Sequence, residues 1–157
     1  MFSPFWRKLL LTLHVVTSIG FIGAVAAFLA LAIVGLGGAV AIYLALPIVT
    51  WWVIVPLAAA SLLVGIVSSV GTPSWGLLRH YWVAVKLVLT LIALVVLLLQ
   101  TRTIDRLAMM ARAGQIGPAS LEGQSAMVLH GSGGLAVLLV MAVLSLFKPR
   151  GVTGLTL

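Results

Sequence analysis

The chain has no cysteine, and only two of its 157 residues, Asp105 and Glu122, are acidic. The first absence excludes disulfides, thiolate metal sites and thiol catalysis together. The second leaves both carboxylates in the polar stretch 101–125, so the three or four convergent ligands of a closed zinc or copper centre are not assembled. It also removes the intramembrane acid that a proton pump ordinarily uses. Charge is scarce as well: 7% of residues are charged against 63% hydrophobic. With a mean hydropathy of +1.32, such a chain cannot expose enough polar surface to be a soluble globule. It reads as an integral membrane protein. No apolar stretch alternates as a barrel strand does, and in lipid the remaining way to satisfy every backbone N–H and C=O is the helix. The nine basic residues give a net charge of +7, but they lie at the ends of apolar runs. They read as membrane-flanking cations in contact with lipid and not as a nucleic-acid surface.

What is present is hydrophobic length. A span needs about 20 apolar residues, and the chain divides into four: approximately 9–34, 50–70, 82–99 and 126–147. The expected fold is all-α, a polytopic four-transmembrane-helix bundle forming one domain over 1–157. Gly35, Gly37, Gly38 and Pro47 mark the first break. Trp51 and Trp52 read as interfacial anchors of the second span, and Pro56 inside it is expected to kink the helix. A five-span alternative takes residues 31–48 as a helix of its own. Gly71-Thr-Pro-Ser-Trp-Gly76 is a dense turn signal before the third span. After that span, Ile104, Leu107, Ala108 and Ala111 recur at i, i+3, i+4 and i+7. This predicts a short amphipathic helix on the membrane surface, ended by Gly114. Arg7, Lys8, Arg79, Lys148 and Arg150 flank one side against Arg102, Arg106 and Arg112 on the other. The positive-inside rule then places both termini in the cytoplasm of a multi-pass cell-membrane protein.

Three ionisable residues fall within the spans. Lys86 is the only formal charge in residues 82–100, where an ion costs roughly 2.5–3.5 kcal/mol on insertion scales. His14 and Lys86 each lie about five residues past the start of their spans, roughly 7 Å deep at the helical rise. Thr17 and Ser18 follow His14 at i+3 and i+4, and Trp82 and Thr90 bracket Lys86 at i−4 and i+4. Each helix therefore carries a polar stripe expected to face the bundle interior. His130 enters from the opposite side in Leu129-His-Gly-Ser-Gly-Gly134, whose glycines admit another helix or a flat ligand, and Gln100 lies on that side too. Each residue also has a plain packing role open to it. Lys86 can snorkel to the headgroups, and either histidine can donate to a backbone carbonyl across the bundle. His80 reads as headgroup-facing. The series Ser61-x₃-Gly65-x₃-Ser69 reads as helix packing, within the bundle or across a homo-oligomer.

Haem needs only one or two axial ligands in an apolar helical bundle, a demand that His14, or as second choice His130, can meet. Lys86 can pair with a haem propionate or the carboxylate of a small-molecule substrate such as a porphyrin. The stretch Trp75-Gly-Leu-Leu-Arg-His-Tyr-Trp-Val-Ala-Val-Lys-Leu-Val-Leu-Thr90, with Lys148-Pro-Arg-Gly151, resembles a family of small bacterial four-helix integral membrane proteins without an agreed activity. More remotely, a first-helix His with a third-helix Lys in Trp-x₃-Lys-Leu is similar to the HemJ-type protoporphyrinogen oxidases, which bind haem b, and to CopD-like copper-resistance membrane proteins. That likeness implies His14 as haem-iron ligand and Lys86 as the partner, catalytic lysine. The HemJ-type pattern has a His near the end of the third helix where this chain has Gln100. The likeness therefore carries the fold further than the oxidase reaction. Three classes stay open: a haem-binding, redox-active membrane protein, a small transport or metal-resistance component, and a non-catalytic membrane subunit.

Overall fold

The computed structural model describes residues 2–71 and 81–147. The expected turn at 71–76 beyond Gly71, Arg79, His80 and the closing Lys148–Gly151 motif lie outside the described residues. Four long apolar helices account for the rest: α1 (Pro4–Leu36), α2 (Ala41–Val70), α3 (Tyr81–Arg112) and α4 (Leu121–Phe147). Each is long and apolar enough to cross a membrane, as the composition requires of a multi-pass membrane protein. No strand occurs among the described residues. The chain is an all-α bundle in which α1 packs on α2 and α4, and α3 docks on α4 and on the first part of α2.

Local chemistry sets the ends. Pro4 opens α1 at a position where its missing N–H is no loss. Gly38, at φ +95°, supplies the left-handed turn that follows, which a side chain would resist. Only residues 37–40 separate α1 from α2, so α2 begins at Ala41 and not near residue 50, and residues 31–48 form no separate span. Pro47 therefore marks no break. The irregularity is instead a π turn over Thr50–Ile54, between Pro47 and Pro56. The Val55 N–H reaches back five residues to the Thr50 carbonyl. Pro56 cannot donate to the Trp52 carbonyl and its ring crowds that oxygen, so the disturbance falls in the turn before it. The Thr50 hydroxyl caps the neighbouring Leu46 carbonyl at 2.8 Å.

The amphipathic segment after the third span is a further correction. It is no separate surface helix but the continuation of α3, unbroken to Arg112. Its stripe is real: Ile104, Leu107, Ala108 and Ala111 are all buried. Ile104, Leu107 and Ala111 share one core cluster with Tyr43 and Leu46 of α2, so a protein face takes the place expected of the membrane surface. A helix satisfies its own backbone, so nothing forces it to stop at the edge of the hydrocarbon. Gly114, at φ +67°, lies just past its end. At the start of α4, a 3₁₀ turn over Pro118–Ser120 adds a first turn ahead of the expected residue 126.

Candidate functional site

The sequence-predicted residues separate into two groups at opposite ends of the bundle. At the end where α1 and α3 begin, the His14 Nδ1–H donates to the Ser61 carbonyl of α2 at 3.1 Å. Ser18 joins Ser61 through their hydroxyls at 2.8 Å. A Cβ at Gly65 would stand only 2.9 Å from His14 Cε1, so the glycine is what lets the imidazole lie against α2. The Ser61, Gly65 and Ser69 series is thus used inside the bundle, with Ser69 buried. Lys86 Nζ donates to Ser145 Oγ of α4 and stands 5.9 Å from the centroid of the Trp82 ring. The Ser145 hydroxyl gives its own proton to the Met141 carbonyl at 2.8 Å, which leaves its oxygen free to accept. Thr90 spends its proton on the Lys86 carbonyl at 2.7 Å. Ser61 was legible only as part of a packing series, and Ser145 carried no signal of its own, because an isolated serine in an apolar run reads as packing.

The second group surrounds a cavity of about 270 Å³. Phe21, Val25 and Phe28 of α1 form one wall, Thr50 and Ile54 of α2 another, and Leu89 to Gln100 of α3 a third. His130, Gly131, Gly133 and Gly134 of α4 complete it. The cavity lies where α3 packs most loosely. No residue from Tyr81 to Gln100 is buried, whereas Thr101 and the stripe beyond it are. The glycines divide their work. A Cβ at Gly131 would meet Leu29 Cδ1 at 3.4 Å, while at Gly133 or Gly134 it would meet nothing within 4 Å. Gly131 therefore serves the approach of α1, and the other two leave space.

Besides Thr50, whose hydroxyl is spent on the Leu46 carbonyl, two polar residues line this apolar space. The His130 Nδ1–H donates to the Ala126 carbonyl one turn back, at 2.6 Å. A carbonyl only accepts, so the proton sits on Nδ1, and in the neutral ring the Nε2 lone pair points elsewhere. Gln100 Oε1 is buried with no hydrogen-bond partner among the described residues. His14, the first choice of iron ligand, does not line the cavity, and neither does Lys86. No group of three or more His, Cys, Asp or Glu side chains is placed to hold a metal ion among the described residues. A metal held by the macrocycle itself, needing one axial side chain, is a different demand. Comparison with protein-family profiles, curated proteins and solved structures finds no match.

Proposed function

We propose that this membrane protein binds a haem-type tetrapyrrole, haem b, in the cavity between α3 and the other helices, with His130 and not His14 as the axial ligand. The observation that carries the proposal is the His130 imidazole at an apolar cavity, its Nδ1–H held by the Ala126 carbonyl. Ligating histidines characteristically donate their other ring N–H to a carbonyl or carboxylate, which sets the tautomer and aims the free nitrogen. The walls suit the group: Phe21 and Phe28 are aromatic, and Gly133 and Gly134 leave a flat shelf beside the histidine. The cavity, at about 270 Å³, is just under the roughly 300 Å³ at which ligand pockets begin. Its α3 wall buries nothing between Tyr81 and Gln100, so that wall is the one that yields to a macrocycle. When bound, haem supplies a one-electron redox centre, and the protein's part is to ligate it, orient it and keep water away. In the same reading the protein lies in the cell membrane with both termini cytoplasmic, because basic residues outnumber those of the other side at that end.

The test is the visible spectrum of detergent-purified protein expressed with ample haem, and again after reconstitution. A Soret band that depends on His130 supports the reading. Absence of a band under both conditions removes it, and leaves the cavity to a colourless apolar solute or to a non-catalytic subunit.

A further inference from the structure

No acidic side chain serves Lys86 as a counter-ion. The only acidic side chains are Asp105 and Glu122. Asp105 lies 19 positions further along the same helix, about 28 Å away at the helical rise. Glu122 starts α4, whereas Ser145, which touches the ammonium, is near its far end. No side-chain carboxylate of this chain reaches Lys86. Every other ionisable side chain that the sequence puts at this end adds positive charge or is a histidine: Arg7, Lys8, His14, Arg79, His80, Lys148 and Arg150.

The hydrogen bonds agree. An ammonium has three donors, and Ser145 takes one. No other acceptor for Lys86 occurs among the described residues. Among the described residues this half-buried cation has one acceptor and no carboxylate beside it, an arrangement that favours an external anion. The neighbouring residues limit what that anion belongs to. Val85 and Val88 are exposed and apolar, so the adjoining face of α3 meets lipid in a membrane, where the anions at hand are those that amphiphiles carry.

We propose that Lys86 and Ser145 form a site for the anionic head of a membrane amphiphile, a phosphate or a carboxylate, in the groove between α3 and α4. The site lies outside the proposed haem cavity: neither Lys86 nor Ser145 lines it, and Ser145 is 15 positions beyond His130 on α4, about 22 Å. Ser145 provides the geometry by accepting from the ammonium while its own proton is bound to Met141. Trp82 flanks the charge with a ring able to sit beside a headgroup.

Native mass spectrometry of the haem-free protein tests this, with short-chain phosphatidylglycerol, phosphatidylcholine and dodecanoate each titrated into detergent. One phosphatidylglycerol or one dodecanoate should bind per chain more tightly than phosphatidylcholine. Lys86→Met should weaken that binding about fivefold, the contribution of one basic residue at a membrane surface. Lys86→Arg should retain most of it, and Lys8→Met should leave it unchanged. Binding of phosphatidylglycerol alone identifies a phosphate head, and of dodecanoate alone a carboxylate. Equal binding by wild type and Lys86→Met, with both shown folded by circular dichroism, overturns the proposal and leaves Lys86 a snorkelling anchor. Haem content plays no part in this readout, so either proposal can fail while the other stands.

Discussion

Gln100 and His130 face one cavity from neighbouring helices, the amide oxygen of the first buried without a partner and the imidazole of the second held by the Ala126 carbonyl. His14, by contrast, is spent on packing: its ring donates to Ser61 and lies against Gly65. The two histidines look alike in the sequence, each a lone imidazole in an apolar run. Their surroundings make them opposites, and that contrast can be measured.

The histidine variants should give a crossed result. His130→Ala is expected to abolish most of the Soret absorbance while changing thermal stability little, because the side chain is exposed in the ligand-free bundle. His14→Ala should keep the band and lose roughly 1–3 kcal/mol of stability, the cost of a broken interhelical hydrogen bond and a lost contact. Absorbance spectra and thermal unfolding in one detergent read both. A band lost in His14→Ala and kept in His130→Ala would transfer the ligand to the other end of the bundle.

Filling the cavity should separate folding from binding. A Cβ at Gly134 meets nothing within 4 Å, so Gly134→Leu is expected to fold and to gain roughly 0.5–1 kcal/mol from removing a glycine inside a helix. The same side chain should occupy ligand space and lower haem uptake at least tenfold. Haem titration of the refolded variant checks this, and full uptake would place the ligand elsewhere.

His14 and Gly65 should be energetically coupled. Gly65→Ala puts a methyl 2.9 Å from His14 Cε1, and such overpacking costs about 1–3 kcal/mol. In a His14→Ala background the clash disappears, so most of that cost should vanish. A double-mutant cycle read by thermal unfolding gives the coupling directly. Simple additivity would mean that α1 shifts to relieve the contact.

Gln100→Met should stabilise the ligand-free protein by about 1 kcal/mol. A buried amide oxygen without a partner carries a desolvation penalty of roughly 1–3 kcal/mol, which an unbranched apolar side chain of similar length does not. Unfolding midpoints of the two haem-free proteins make the comparison. Lower stability in the variant would reveal a hydrogen-bond partner for Gln100, such as an ordered water.

The helical class follows from composition, and four spans with a break after α1 are legible in the placement of the apolar runs and glycines. A chain this apolar must enter lipid, lipid demands helices, and Gly35 to Gly38 is where the first one loosens. The stripe at Ile104, Leu107, Ala108 and Ala111 was equally legible, since a period near 3.6 shows that one helix face is buried. Periodicity does not say against what. Tertiary structure decided that the partner is Tyr43 and Leu46 of α2 and not the membrane surface. It also carried α2 back to Ala41 past Pro47, and put a π turn at Thr50–Ile54 ahead of Pro56. The candidate site divides in the same way. That His14 and Lys86 share a depth is a matter of counting residues from the start of each helix, and the sequence is enough for it. That His130 and not His14 opens on a cavity depends on how loosely α3 packs between Tyr81 and Gln100, where no residue is buried. The spacing between helices is set by side chains meeting from four separate segments, and no single stretch of sequence contains it.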